Sequence, residues 1–271
     1  MYKLVALDID GTLLDKNRNI SPNTARTLRA VSKLSDVVLI SSRMPSAMRY
    51  IQKDCGISDS PLVAYNGGLV LQNDQMLSST GIDVDIFESI LSLNKDLNLH
   101  LSLFHSDQWY APIDDFWSQR EIRNTRVNPV FRSNDSVFEN WKSENKNPHK
   151  IMCMGDELKV DEYFERLSKT LENELHLYRS KSTYIEIAPK KISKLSGLEV
   201  LLKNIFPKYS MQDIIAYGDN YNDIEMLQNV GMGVAVANAK AEVKAVAQEI
   251  TDSNKDDGVA KHLQKIFGLK F

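Results

Sequence analysis

Short apolar runs alternate with amphipathic stretches at both ends of the chain. "KLVAL", "DVVLI" and "PLVAY" are separated by segments of helical character, one from Pro22 to Lys33 and one from about Pro45. Toward the other end "DIIAY", "GMGVAVA" and "QEIT" alternate with helices expected to start near Tyr221, Ala239 and Asp257. Continuous apolar strands with helices between them predict a parallel sheet covered on both faces. The two ends therefore read as halves of one α/β domain, residues 1–82 and 187–271.

The middle of the chain, residues 83–186, has a different rhythm. Longer helical patterns such as "DVDIFESILSLNKDL" and "DELKVDEYFERLSKTLENEL" lie between strand pairs, "LHLSLFHSDQWYAP" and "ELHLYRSKSTYIEIAP". This is an α+β pattern set into an α/β frame. A segment that leaves and re-enters its parent through two connections suggests a hinged cap.

Composition narrows the function classes. A chain of 271 residues with 42% hydrophobic and 25% charged residues is long enough for one large domain or two, and too apolar for disorder. The formal net charge of −3 gives no reason to expect a nucleic-acid partner. No apolar run approaches the ~18 residues that cross a bilayer, and the first residues lack the order of a signal peptide, so no membrane partner is expected. Two cysteines, Cys55 and Cys153, lie far apart without metal-ligand spacing. A reduced, cytoplasmic setting is the expectation. The sequence leaves the oligomeric state open.

Ligands of open α/β sheets bind beyond the carboxyl ends of the strands, so the residues following each apolar run carry the chemistry. Asp8 and Asp10 follow "LVAL"; Ser41, Ser42 and Arg43 follow "VVLI"; Asn66, Gly67 and Gly68 follow "PLVAY"; Gly218, Asp219, Asn220, Asn222 and Asp223 follow "IIAY". Each piece has a plain alternative: a solvated turn, a strand-ending hydroxyl, an acidic helix start. Together they predict one acidic crevice. Two like charges ~4 Å apart at an effective dielectric near 20 repel by about 4 kcal/mol, so something must offset them. Oxygen-only ligands with no Cys or His nearby favour Mg2+. Asp8 and Asp219 are the leading ligands, with the backbone carbonyl of Asp10 and the Asp223 carboxylate as further candidates.

These residues also carry a family resemblance. The sequence resembles the haloacid-dehalogenase-like hydrolases, specifically their Cof-type sugar-phosphatase branch with an α+β cap of class IIB after the third strand. The motifs are "DIDGTLL", "ISSR", "NGG", "ISK" and "YGDNYNDIEML", followed by the tail "GMGVAVANAKAEVKAVAQEITDSNKDDGVAKHL". Ser41 stands where threonine is commoner, Ser42 where glycine is usual, and Leu195 where glycine is frequent. None of these changes removes a functional group.

The resemblance implies a Rossmann-like core and a small phosphate ester as substrate. It implies that Asp8 attacks phosphorus and forms an aspartyl-phosphate, and that Asp10 acts as acid and then base from a drier, metal-free position. Ser41, the Ser42 amide, Lys194 and Asn222 would bind the phosphoryl oxygens. Asp223 would orient Lys194 or a metal-bound water, while Gly11 and Thr12 open the turn beside the phosphoryl group. A phosphosugar mutase and a non-catalytic phosphate sensor are the rival readings. In the inserted segment, Trp109, Tyr110, Phe116 and Trp117 beside Arg120 and Glu121 would suit a sugar, against the commoner role of such aromatics in packing.

Overall fold

The computed structural model of the chain describes residues 2–271, apart from the side chain of Ser180. Two units are distinguished: residues up to Ser78 with Ser193–Phe271, and Ser79–Ile192.

The first unit begins with β1 (Leu4–Asp8), α1 (Pro22–Val31), β2 (Asp36–Ile40), α2 (Ser46–Cys55), β3 (Leu62–Ala64), β4 (Leu69–Gln72) and β5 (Gln75–Ser79). Helix α1 starts where Ser21 accepts the Thr24 N–H and Pro22 occupies a first-turn position that needs no donor. Its buried residues, Thr24, Thr27, Leu28 and Val31, recur at helical spacing, which sets one face toward the sheet.

The second unit holds α3 (Val84–Leu93), β6 (His100–His105), β7 (Gln108–Ala111), α4 (Phe116–Thr125), β8 (Val130–Phe131), α5 (Asn134–Ser143), β9 (Lys150–Met154), α6 (Glu157–Leu171), β10 (Leu175–Lys181) and β11 (Tyr184–Pro189). The first unit resumes with α7 (Lys194–Asn204), β12 (Ile214–Gly218), α8 (Ile224–Asn229), β13 (Met232–Val236), α9 (Ala241–Val246), β14 (Glu249–Thr251) and α10 (Gly258–Phe267).

The first unit's sheet runs β14-β13-β12-β1-β2-β3-β4-β5. It is parallel from β14 to β3, and β4 turns antiparallel to β3. Strand β1 is buried throughout, as a strand covered on both faces must be. Register places the chemistry. Asp8 lies beside Ile40 of β2, and Leu7 lies beside Tyr217 of β12. The residues following β2 and β12, Ser41 and Asp219, therefore sit one position beyond Asp8 at the same sheet edge.

The second unit's sheet runs β10-β11-β9-β6-β7-β8. Because side chains alternate along a strand, Leu101, Leu103, Ile151, Cys153, Ile185 and Ile187 share one face. They pack with Phe87, Ile90, Phe138, Trp141, Tyr163 and Leu167 from α3, α5 and α6. Trp109 points to the other face and is buried, stacked on Phe104 at 5.5 Å. Tyr110 meets Trp141 edge-on, and Glu121 is buried, while Phe116 stays exposed. Trp109 and Glu121 thus serve packing, the plainer of the two roles expected for that stretch.

A buried histidine gives this unit a pH response. His149 accepts the Ser106 N–H at Nδ1, so its proton sits on Nε2, 2.9 Å from the Ser79 hydroxyl. Burial, reinforced by the facing His105 ring at 4.9 Å, pushes the His149 imidazole down from 6.5 to about 3. A depressed folded value means stability that is complete above pH 6.5 and declines as pH falls toward 3. The expected loss is roughly 2 kcal/mol between pH 7 and pH 5. All three tryptophans, Trp109, Trp117 and Trp141, lie in this unit, so urea titrations followed by tryptophan fluorescence at several pH values check it. A His149→Gln variant should flatten the dependence.

Candidate active site

Four elements of the first unit deliver side chains to the ends of β1 and β12. Asp8 ends β1. Lys194 opens α7, where Ser193 caps the helix by accepting the Ser196 N–H and Ser196 Oγ accepts the Ser193 N–H in return. Its ammonium is fully buried, 2.6 Å from Asp8 Oδ1 and 2.5 Å from Asp223 Oδ1. Gly67, at φ +103, explains how α7 comes so close: a Cβ there would run into the Ser193 carbonyl. The "NGG" turn thereby positions the lysine.

Asp223 is fixed on both oxygens, since Oδ2 accepts the Asp219 and Asn220 N–H groups at 2.9 Å each. Its other oxygen, Oδ1, accepts from the Lys194 ammonium. Asp219 lies beside Gly11, which has φ +87 and no room for a Cβ against the Asp219 carboxylate. The Thr12 hydroxyl donates to Asp219 Oδ1 at 3.2 Å. Asn222 donates its amide to Asn66 Oδ1 at 3.0 Å, and the Asn66 N–H is held by the Ser41 carbonyl. Ser41 Oγ accepts the Arg43 N–H at 3.3 Å. The expected residues Asp8, Ser41, Asn66, Lys194, Asp219, Asn222 and Asp223 are therefore joined in one network or adjoin it by register.

Asp10 behaves differently from expectation. Its side chain is 39% exposed and is not dry. Arg43 grips it with Nε at 2.6 Å and Nη2 at 2.7 Å, and Arg18 adds Nη1 at 3.1 Å. Arg43 is itself buried and anchored to the Ala47 carbonyl and the Tyr50 hydroxyl. The carboxylate thus turns to guanidinium groups, which leaves Asp10 only its backbone carbonyl to offer a cation. The sequence assigns a role to neither arginine. Arg43 stood within the "ISSR" cluster, a signal that could have found it; Arg18 carries none.

Charge does not balance in the crevice. Asp8, Asp219 and Asp223 place carboxylate oxygens within 4.8 Å of one another. Burial opposes the charge on Lys194, but Asp223 and Asp8 outweigh it and raise its pKa, so the ammonium persists. Three carboxylates face one ammonium, an excess of two negative charges. Burial, with Asp223 and Asp219 adding to it, drives the Asp8 carboxyl well above the usual range despite Lys194. Burial and then Asp223 push Asp219 up to about 6. Asp8 Oδ2 is buried and accepts no hydrogen bond among the described residues. An orphaned carboxylate oxygen in an all-oxygen cluster with this excess fits a divalent cation.

A carboxyl raised from 3.8 to about 6 contributes stability below pH 3.8 that disappears as pH rises through 6. In chelator-treated protein, the melting temperature of Asp219→Asn minus that of the unsubstituted chain should therefore grow between pH 4 and pH 7. Added divalent cation should shrink the difference. Differential scanning calorimetry at constant ionic strength measures both.

A family model for haloacid dehalogenase-like hydrolases matches residues 5–263. The chain belongs to this family. A putative phosphatase of Haemophilus influenzae is 31% identical over 273 residues, covering 98% of this chain and 99% of the relative. A Bacillus subtilis 5-amino-6-(5-phospho-D-ribitylamino)uracil phosphatase is 30% identical over 272 residues, covering 97% and 94%. A crystal structure of a haloacid dehalogenase-like hydrolase from Bacteroides thetaiotaomicron superposes with a TM-score of 0.88 at 26% identity, covering 98% of this chain and 100% of that one. This haloacid dehalogenase-like enzyme is thus a hydrolase of the phosphatase kind. No helix among the described residues is long and apolar enough to cross a membrane.

Proposed function

We propose that the chain is a magnesium-dependent phosphatase of small phosphate monoesters, sugar phosphates foremost, acting through an aspartyl-phosphate on Asp8. The observation that carries this reading is the Asp8 carboxylate: buried, bound at Oδ1 by the Lys194 ammonium, and bare at Oδ2.

In the proposed reaction an Asp8 oxygen attacks phosphorus while Asp10 gives a proton to the departing alkoxide. Asp10, now a carboxylate, then takes a proton from the water that attacks the aspartyl-phosphate, and phosphate leaves. Arg43 fixes the direction of the Asp10 carboxylate by its paired hydrogen bonds and favours its ionised form, the state the base step needs; for the acid step one of these guanidinium contacts gives way to a proton. Lys194, the Ser41 hydroxyl, the Ser42 backbone N–H and the Asn222 amide bind the phosphoryl oxygens in this reading. Asp8 and Asp219, with the Asp10 backbone carbonyl, would hold the cation, which when bound supplies positive charge to the phosphoryl group. Asp223 keeps Lys194 charged and aimed.

The test is a phosphate-release screen with and without magnesium, covering hexose and pentose phosphates, nucleotides, pyridoxal phosphate and pyrophosphate. A sugar-alcohol phosphate belongs on the panel too, because the 30%-identical relative is named for 5-amino-6-(5-phospho-D-ribitylamino)uracil. Magnesium-dependent release led by a sugar or sugar-alcohol phosphate supports the reading. Isomerisation of a hexose phosphate without free phosphate would replace it by a mutase, and binding without turnover by a sensor.

A further inference from the structure

Between β1 and α1 the chain forms a tight loop organised by one side chain. Asp15 Oδ1 accepts the N–H groups of Asn17 at 2.8 Å and Asn19 at 2.9 Å. The Asp15 N–H donates to the Asn19 carbonyl and the Arg18 N–H to the Asp15 carbonyl, closing the loop. Arg18 is thereby held at φ +59, a left-handed conformation that a residue with a long side chain adopts only under constraint. The outcome is directional: the guanidinium is brought to Asp10 Oδ1 at 3.1 Å.

That contact is redundant for holding Asp10. Arg43 already supplies a donor to each of its oxygens, at shorter distance, from a buried and anchored guanidinium. Arg18 touches by one nitrogen, is 48% exposed, and makes no other side-chain hydrogen bond among the described residues. The two arginines therefore divide the work: one is built in, the other is exchangeable. If Asp10 meets the leaving-group oxygen, a guanidinium on the same carboxylate is within two hydrogen-bond lengths, about 6 Å, of that oxygen and its phosphorus. Rotation of a four-bond side chain spans such a distance, and a phosphoryl group offers the paired acceptors that a guanidinium fits best.

We propose that Arg18 is a substrate-binding residue that leaves Asp10 for a phosphoryl oxygen when a phosphate monoester enters the crevice. The exchange puts a cation on the ester and removes one of the two guanidinium donors on Asp10 Oδ1, which opens this oxygen to the leaving group. The inference rests on the phosphatase reading.

Inorganic phosphate is the probe, titrated calorimetrically into the magnesium-loaded enzyme beside steady-state kinetics on the best ester. Arg18→Ala, and Arg18→Asn, which tolerates the left-handed backbone, should weaken phosphate binding about 10-fold, the worth of one charge-assisted contact. KM should rise in parallel with kcat within about 3-fold. Arg18→Lys should recover part of the loss, and inhibition by the uncharged alcohol product should not change. Phosphate affinity and KM within about 2-fold of the parent in both variants would overturn the proposal while leaving the phosphatase reading intact. A parent enzyme that neither binds phosphate nor releases it from any ester would overturn both.

Discussion

Asp8→Asn is expected to fold, to bind a divalent cation more weakly, and to release phosphate at least ~10⁴-fold more slowly from every ester tested, as loss of a covalent nucleophile does. The substitution keeps the shape of a buried side chain and retains an oxygen for the Lys194 ammonium, which now sits 2.6 Å from Asp8 Oδ1. What it removes is the attacking carboxylate. Circular dichroism should therefore change little while turnover vanishes. Mass spectrometry of acid-quenched enzyme should find a phosphorylated peptide containing residue 8 in the parent and none in the variant. Turnover surviving above 1% of the parent would mean that another group attacks phosphorus, and the proposed mechanism would be wrong.

Lys194→Met should damage both stability and catalysis. The ammonium is wholly enclosed with Asp8 and Asp223, and removing one member of a buried ion cluster costs about 3–5 kcal/mol because the remaining charges lose their partner. The loss should depend on pH. Without the lysine the buried Asp8 carboxyl prefers even more to be neutral, so the variant should lie furthest below the parent near pH 8 and recover toward it near pH 5. Urea unfolding followed by circular dichroism at the two pH values reads this directly. Turnover should fall with it, since methionine offers no donor to a phosphoryl oxygen. A loss that does not vary with pH would indicate a packing defect rather than unpaired carboxylates.

Much of this arrangement was legible in the chain. Apolar runs ending in polar residues predicted a parallel sheet with Asp8, Ser41 and Asp219 at its carboxyl edge, and the register of β1 with β2 and β12 brings them there within one residue of one another. That reading works because strand period and burial are local properties of sequence. The environment of Asp10 was not legible. Its exposure and its arginine partners depend on α2, which anchors Arg43, and on a loop whose turn is set by Asp15. Neither leaves a periodic trace. The middle of the second unit was only outlined for a related reason: β9, "KIMCM", lies between β6 and β11, but five residues beside a polar, proline-containing stretch carry too little pattern to stand out. Aromatics in that region suit packing or a sugar by type alone, and Trp109 is buried on Phe104.

Lys194 is the second residue after the chain returns to the first unit, which resumes at Ser193. Shuffling of inserts between relatives therefore has a sharp edge. A seam at Ile192 leaves the ammonium with its host, whereas a seam only a few positions later imports it with the guest, along with whatever helix start the donor happens to possess. Chimeras cut on the wrong side of that point should inherit a misaimed cation even when both parents are active.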